Sequence, residues 1–341
     1  EGTTPATATL RILETTDLHS NVMPYDYFKD TDKGINYGLA KTATLITQAR
    51  SEVTNSMLFD AGDTIQGNPL ASYVAKVNKL GPNDTHPIFK AMNSLKYDAA
   101  IVGNHEFNYG LDYLNDVLGE VQFPIVNANI YHDDKDGNAE NDKNYFTPYK
   151  ILNKEITDNN GTKSTIKVGV IGFAPPQIMQ WDKDNLSGKV IAKDIVQQAN
   201  KFIPQMKAEG ADVIVAIAHS GCDIAVAGQA EAENAVYDLT KVPGIDAMLF
   251  GHAHVKFPED FSNTGEINKD KGTINGVQAI EAGFWGNNLG VLDLALVQGE
   301  NGKWAVDKTN SKSVNRPVDA NTLLDQEIVK AVAAEHQGTL D

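Results

Sequence analysis

Cysteine, long apolar runs and positive charge are all scarce in this sequence. Its 341 residues contain one cysteine, Cys222, which excludes an intramolecular disulfide and a zinc site built from cysteine ligands. The longest uninterrupted apolar run is the six residues 213–218, far short of the ~20 that a membrane-spanning helix needs. The 29 lysines and arginines stand against 45 acidic residues, a net charge of −16, and a field of that sign repels duplex nucleic acid and anionic lipid. A phosphate-ester substrate would therefore need bound cations to supply positive charge.

Short apolar runs alternate with stretches of helical spacing along most of the chain. The predicted strands are 10–16, 56–59, 98–102, 123–127, 167–173, 212–218, 247–250, 277–282 and 291–297, and the predicted helices are 37–53, 70–77, 87–95, 111–121 and 194–209. The polar segment 132–163 predicts a surface insertion, with a hairpin turn at Asn160-Gly161. A last helix is predicted over 321–337, with Asn321 as its cap. The alternation predicts an α/β fold with helices covering the faces of a sheet.

Five polar motifs come directly after predicted strands. They are Asp17-Leu-His19, Gly62-Asp63, Gly103-Asn104-His105-Glu106, His219, and Gly251-His252-Ala-His254. Residues two apart in an extended chain point to the same side, so the first and last motifs can each direct two side chains at one ion. The other histidines, His86, His132 and His336, lie in polar or terminal segments, where we expect ordinary surface residues.

Each motif has an ordinary structural explanation when it is taken alone. An Asp-x-His after a strand is usually a turn with a hydrogen-bonded histidine, Gly-Asp is a common turn, and Gly-Asn-His-Glu can begin a capped helix. Taken together, the five motifs indicate one shared site, because the carboxyl ends of strands in an open α/β sheet converge on one crevice. The side chains expected to meet there are Asp17, His19, Asp63, Asn104, His219, His252 and His254.

The types of these donors indicate a pair of metal ions. Imidazole and carboxylate groups, with an amide oxygen and no thiolate, favour Zn, Mn or Fe over Ca or Mg. Seven donors are too many for one ion that keeps an open position. They suit two ions ~3.5–4 Å apart that share a bridging carboxylate, the arrangement of two-metal phosphoester hydrolysis. We expect two divalent ions, with Mg and Co as alternatives to Mn, Zn or Fe.

In this order, the five motifs resemble those of the calcineurin-like metallophosphoesterase superfamily, from about Leu10 to Asp341. Two segments, Asp60-Ala-Gly-Asp-Thr-Ile-Gln-Gly-Asn-Pro69 and Gly103-Asn-His-Glu-Phe-Asn-Tyr-Gly110, are similar to its periplasmic or secreted nucleotidase group. They most resemble the cyclic-nucleotide phosphodiesterase/3′-nucleotidase branch. The resemblance implies a four-layer α/β/β/α metallophosphatase sandwich, with a catalytic domain over 1–320. It also implies that 321–341 begins a linker helix to a C-terminal nucleotide-binding domain, and that the protein works outside the cytoplasm.

The resemblance assigns a role to each candidate site residue. The implied ligands are Asp17, His19 and His254 for one metal, Asn104, His219 and His252 for the other, and Asp63 as the bridge between them. Asn104 and His105 are the implied catalytic residues, and His105 would face the substrate phosphate, stabilise the charge of its transition state and protonate the leaving oxygen. Asn108 would orient His105 and border the substrate. The 5′-nucleotidases of this group usually carry Asp at this position, so Asn108 favours the cyclic-phosphodiesterase branch.

The expected function is metal-dependent hydrolysis of nucleotides by a metal-bridging hydroxide. The expected substrates are 2′,3′-cyclic nucleotides, opened to 3′-nucleotides, and then 3′-nucleotides, cleaved to nucleoside and phosphate. A 5′-nucleotidase or a broader phosphodiesterase of the same family is the alternative among enzymes. A non-catalytic, metal-dependent nucleotide-binding module is the alternative of another class. Every implied ligand position carries a competent donor, which favours an enzyme.

Overall fold

Two β-sheets stack face to face in the computed structural model, which describes residues 4–80 and 84–341. The strands of this part of the chain are β1 (Thr7–Thr15), β2 (Ser56–Asp60), β3 (Ala99–Ala100), β4 (Ile130–His132), β5 (Tyr149–Thr157), β6 (Lys163–Phe173), β7 (Val190–Ala192), β8 (Val213–Ala218), β9 (Ala247–Phe250), β10 (Lys256–Phe257), β11 (Ile267–Asn268), β12 (Thr273–Ile274), β13 (Val277–Ala282), β14 (Asn288–Gln298) and β15 (Trp304–Pro317). Its helices are α1 (Leu39–Ser51), α2 (Pro69–Ser72), α3 (Pro87–Ser94), α4 (Leu111–Leu118), α5 (Ile178–Trp181), α6 (Lys183–Leu186), α7 (Ile195–Ala208), α8 (Val236–Leu239), α9 (Gln326–Ala331) and α10 (Ala333–Leu340).

Both large sheets contain a parallel block, and the candidate residues follow strands of these blocks. The first sheet has the order β15-β14-β1-β2-β3, in which β1, β2 and β3 are parallel. The second has the order β11-β12-β13-β9-β8-β6-β5, in which β13, β9, β8 and β6 are parallel and β10 pairs with β13. A separate small sheet joins β4 to β7. Parallel strands end at a common edge, so the loops that follow them are brought together.

Three hydrophobic clusters separate four layers of structure. In β8, the side chains of Val213, Val215 and Ile217 lie between the two sheets. The alternate residues of the same strand lie on its outer face, packed with α7. Both faces of β8 are therefore buried, which explains why its sequence is uniformly apolar. A third cluster packs α1, α3, α4 and α9 against the outer face of the first sheet, so the predicted four-layer sandwich is confirmed.

The helix predicted over 194–209 illustrates how local sequence sets an element. The Asp194 carboxylate accepts a hydrogen bond from the Gln197 N–H at 2.8 Å and so caps α7. Ile195, Ala199 and Met206 recur at helical spacing and are fully buried against the second sheet. The predicted Asn160-Gly161 hairpin is likewise confirmed, because β5 and β6 pair antiparallel on either side of it.

Three local predictions are wrong. Residues 123–127 form only isolated bridges rather than a strand. The last helix does not begin at Asn321, because the Asp325 carboxylate caps α9, and the helix is interrupted before α10. His86 is fully buried instead of lying at the surface, and its Nδ1 accepts the Ile88 N–H at the start of α3. None of the described helices is long and apolar enough to cross a membrane.

Candidate metal centre

The residues of the five motifs come together at one edge of the sandwich. The loops after β1, β2, β3, β8 and β9 deliver them. Their potential ligand atoms form two groups, each within 4.8 Å: Asp17, His19 and His254, and Asp63, His219 and His252. Asn104 lies beside the second group, because the next N–H in the chain, that of His105, donates to Asp63 Oδ1 at 2.8 Å. The structure therefore brings all seven predicted ligands together, and their role as ligands stays a prediction.

The two groups adjoin each other, with Asp63 between them. Asp63 Oδ2 lies 2.8 Å from His219 Nε2 and 3.7 Å from His19 Nε2. Asp17 Oδ1 lies 3.2 Å from His254 Nε2 and 3.7 Å from His219 Nε2. The Asp63 carboxylate thus reaches both groups, which is the position that a bridging ligand needs.

Hydrogen bonds to the far side of each ring determine which histidine nitrogen faces the centre. His19 Nδ1 donates to the Gln66 carbonyl and His219 Nδ1 to the Ala61 carbonyl, both at 2.7 Å. Their Nε2 lone pairs are therefore directed inward. His252 has the opposite arrangement, because its Nε2 contacts Glu233 Oε1 at 2.7 Å and leaves Nδ1 as the available ligand atom.

Three buried polar atoms of the site lack a well-formed hydrogen bond. Asp17 Oδ1, Asn104 Oδ1 and His219 Nε2 make none of normal geometry among the described residues, although His219 Nε2 lies near Asp63 and Asp17 Oδ1 near His254. Asp17 Oδ2 is occupied, since it accepts from the Thr16 hydroxyl at 2.7 Å and the His252 N–H at 2.9 Å. An unpaired buried polar atom costs about 1–3 kcal/mol. Because all three are carboxylate, amide or imidazole acceptors, the donor set fits divalent metal ions.

The electrostatics of the site favour positive charge. Burial alone lowers the pKa of His219, but the carboxylates of Asp63 and Asp17 outweigh burial and raise that pKa to about 10. Burial likewise opposes the protonation of His19, and Asp17 and Asp63 raise its pKa to about 9. In return, the charge of His219 and the close contacts with His19 and His254 overcome the burial of Asp17 and hold its pKa well below the ordinary value. The same carboxylates would attract metal ions.

The backbone at the candidate ligands adopts a conformation that most side chains avoid. Left-handed φ angles occur at Asp17 (49°), His19 (48°), Asp63 (57°), His252 (85°) and His254 (59°). Such a conformation costs on the order of 1–3 kcal/mol per residue and persists where neighbouring structure imposes it. Here the loops are tied to each other, because the Asp17 N–H donates to the Gly62 carbonyl and the His19 N–H to the Asp63 carbonyl, both at 2.9 Å.

Two glycines allow these loops to approach closely. A Cβ at Gly103 would contact the Asp63 carboxylate and lie 2.8 Å from the His219 ring. A Cβ at Gly251 would collide with the Thr16 hydroxyl and lie 2.7 Å from Asp17 Oδ2. The glycines in the Gly-Asn-His-Glu and Gly-His-x-His motifs therefore serve packing around the ligands.

His105 and Asn108 lie on the open side of the centre. The ring of His105 is half-buried, and its centroid is 5.2 Å from that of His19. His105 Nδ1 lies 2.6 Å from Asn108 Oδ1. The predicted pairing of these two residues is therefore present, with the histidine Nε2 left for a substrate.

Three residues near the centre have no signal in the sequence that marks them. Glu233 and Asp182 contact His252 and Asn108 from segments beyond the ends of β8 and β6. Trp181, at the end of α5 and 45% exposed, stacks on the His252 ring with centroids 5.8 Å apart. Only their position after parallel strands could have suggested these three. Phe284 differs, because it lies in an aromatic, glycine-rich loop directly after β13 that the sequence does mark; it stacks on the His254 ring at 5.1 Å, so this loop borders the site.

Two adjoining candidate metal-ligand groups at the edge of a double-sheet α/β sandwich are the arrangement expected of a metallophosphoesterase. A family model for calcineurin-like phosphoesterases matches residues 10–256, and the chain belongs to this family. The family resemblance predicted from the motifs is therefore confirmed.

Several relatives are similar over nearly the whole chain. The 2′,3′-cyclic-nucleotide 2′-phosphodiesterase/3′-nucleotidase of Salmonella typhimurium is 48% identical over 341 residues, which cover 98% of this chain and 51% of that protein. The crystal structure of the calcineurin-like phosphoesterase YfkN from Bacillus subtilis is 46% identical and superposes with a TM-score of 0.91 over 98% of both chains. The snake venom 5′-nucleotidase of Naja atra is more distant, at 33% identity over 72% of this chain. The chain spans about half the length of the Salmonella relative.

Proposed function

We propose that this chain hydrolyses 2′,3′-cyclic nucleotides to 3′-nucleotides and then releases phosphate from the 3′-nucleotides. The observation that carries the proposal is that three buried acceptors without a well-formed hydrogen bond, Asp17 Oδ1, Asn104 Oδ1 and His219 Nε2, belong to or adjoin the two ligand groups. The names of its relatives support the choice of substrate, and so does Asn108 in the place where 5′-nucleotidases usually carry Asp. The family resemblance supports a location outside the cytoplasm.

The proposed ligands follow the two groups. Asp17, His19 and His254 would hold one ion, Asn104, His219 and His252 the other, and Asp63 would bridge them. Mn²⁺, Zn²⁺ or Fe²⁺ suit these donors best, with Mg²⁺ and Co²⁺ as alternatives, and when bound they would neutralise phosphate oxygens and lower the pKa of an attacking water.

The remaining task of the chain is to position a proton donor. His105 lies beside the centre with its Nδ1 held by Asn108 at 2.6 Å, which leaves Nε2 free for a substrate. From there it can donate a hydrogen bond to a phosphate oxygen and a proton to the leaving ribose oxygen.

The test is ester hydrolysis by chelator-stripped protein before and after Mn²⁺ or Zn²⁺ is added back. Bis-p-nitrophenyl phosphate, 2′,3′-cyclic AMP, 3′-AMP and 5′-AMP are compared on one preparation. We expect metal-restored cleavage of the first three and little cleavage of 5′-AMP. A preference for 5′-AMP would replace the proposal with a 5′-nucleotidase. Two bound metals without cleavage of any ester would replace it with a nucleotide-binding module.

A further inference from the structure

A line of three side chains leads from His105 away from the metal centre. His105 Nδ1 lies 2.6 Å from Asn108 Oδ1. The amide nitrogen of Asn108 donates to both carboxylate oxygens of Asp182, at 3.0 and 3.2 Å. Asp182 is buried and lies directly after α5, on a segment distant in sequence from the other two residues.

The chemistry of these groups defines one direction for the hydrogen bonds. A side-chain amide has a donor end and an acceptor end, and it can present either end to a histidine nitrogen. A carboxylate only accepts, so Asp182 binds the NH₂ end of Asn108 and leaves the carbonyl end for His105. The carbonyl in turn requires a proton on His105 Nδ1.

The segment that carries Asp182 is fixed against the turn that carries His105. The Asn185 side chain donates to the Phe107 and Asn108 carbonyls at 3.2 and 3.3 Å. The Asp182 N–H in turn donates to the Ile178 carbonyl at 2.9 Å. The backbone that carries the Asp182 carboxylate is therefore held in place by contacts that do not involve the Asn108 side chain.

We propose that Asp182 is a positioning residue, which orients the Asn108 amide so that its carbonyl holds the proton on His105 Nδ1 and directs Nε2 to the substrate. This inference rests on the proposed function for its catalytic meaning. It explains how the amide of Asn108 can orient the His105 ring. A carboxylate at this position could accept from His105 Nδ1 with either oxygen, whereas an amide must present its carbonyl end.

An NMR spectrum of the His105 ring tests the orientation of the Asn108 amide without measuring hydrolysis. In Zn²⁺-loaded protein with ¹⁵N-labelled histidine, we expect a Nδ1–H proton of His105 that is protected from exchange, assigned by its loss in His105→Asn. Asp182→Ala should abolish this signal while bound zinc and the thermal midpoint stay unchanged. A signal that persists in Asp182→Ala would overturn the proposal, whether or not the wild type hydrolyses any ester. Wild-type protein that shows the signal but cleaves no ester would overturn only the proposed function.

A double-mutant cycle tests the catalytic consequence. Asp182→Ala should lower kcat for 2′,3′-cyclic AMP about tenfold, with little change in KM, because the amide is then free to turn its NH₂ end toward His105. In an Asn108→Asp background, the same substitution should cause no loss of kcat, because the two oxygens of a carboxylate are equivalent acceptors and removing Asp182 takes away a like charge beside it. An equal loss in both backgrounds would show a merely structural role and overturn the proposal.

Asp184→Asn is the matched control. Asp184 is an exposed acid on α6, so the substitution removes the same charge from the same segment without touching Asn108. We expect its kcat and its His105 signal to equal those of the wild type. A loss of kcat in Asp184→Asn as large as in Asp182→Ala would attribute the effect to the charge of the segment and overturn the proposal.

Discussion

Two buried acids three residues apart, Glu14 and Asp17, have opposite environments. Both are 0% exposed. Asp17 lies beside imidazole groups, which hold its pKa well below the ordinary value despite its burial. Burial, together with the neighbouring carboxylate of Glu281, raises the pKa of Glu14 well above its ordinary value. Burial is the same in the two places, and the partner decides the charge.

The pair formed by Glu14 and Glu281 makes the contrast sharper. Within residues 4–80 and 84–341, none of their four carboxyl oxygens accepts a hydrogen bond of normal geometry. A charged carboxylate in such a place would be very costly, so these groups avoid the cost by staying protonated. At the candidate metal centre, by contrast, buried carboxylates stay ionised because imidazole groups lie within contact distance of them. Ionised acids next to imidazoles therefore mark the site, and buried acids alone do not.

The largest expected effect is at Asp63, the acid between the two ligand groups. Asp63→Asn removes the charge that reaches both groups, so we expect kcat to fall by roughly a hundredfold or more without unfolding of the chain. Hydrolysis of 2′,3′-cyclic AMP, bound metal and circular dichroism are measured on the same sample. Glu14→Gln, which removes a buried carboxyl group outside both ligand groups, is the control and keeps its turnover. Near-normal turnover in Asp63→Asn would contradict the bridged two-metal arrangement.

A smaller effect is expected at His105, which lies beside the centre without belonging to either ligand group. His105→Asn should lower kcat by about a hundredfold, because a positioned proton donor is lost. Metal content, measured by elemental analysis, should stay at the wild-type value. Loss of metal in this variant would make His105 a ligand and would require a new assignment of the centre.

A substitution of Glu233 tests whether residues that contact the candidate ligands affect metal binding. Its carboxylate contacts His252 Nε2 at 2.7 Å and is itself partly exposed. Glu233→Gln should weaken metal binding by about tenfold, as loss of such a partner commonly does, while saturating metal restores kcat. Titration of activity with Mn²⁺ separates the two quantities. The exposed acid Glu231 lies in the same loop, and Glu231→Gln should not change the metal requirement.

Much of the fold could be predicted because its determinants are local. The strand β8 is uniformly apolar, and α7 has both a cap and a helical stripe. The strand β15 was missed, since Trp304–Pro317 is mostly polar and becomes a strand only by pairing with β14 at the edge of the sheet. His86 shows the same limit of local prediction, because its burial depends on the residues from elsewhere in the chain that pack over the start of α3.

The candidate centre was predictable for a different reason. Its ligands occur in short motifs directly after strands, and the topology of parallel strands brings such loops together. Asp182 and Glu233 have no such motif, and their contacts depend on the path of long loops. The left-handed φ angles at Asp17 and His252 are also invisible in the sequence, because the ties between loops impose them.

The smallest effect on activity is expected at Glu14, and it should appear in stability instead. The folded chain keeps the Glu14 proton that the unfolded chain loses above its ordinary pKa of 4.5. The free energy of unfolding therefore falls as pH rises above that value, by about 1.4 kcal/mol per pH unit for this group until its raised folded pKa is reached. Gln carries no titrating proton, so Glu14→Gln should lack this part of the slope.

Urea unfolding of the wild type and of Glu14→Gln between pH 5 and 7 measures the difference. Any cost of placing the Gln amide in the core is the same at every pH, so the slope, rather than the stability at one pH, isolates the buried proton. The exposed acid Glu300 provides the control, because Glu300→Gln should leave the slope unchanged. Equal pH slopes for the wild type and Glu14→Gln would mean that Glu14 is ionised in the folded chain. A bound cation would then have to balance its charge, and protonation would not distinguish Glu14 from Asp17.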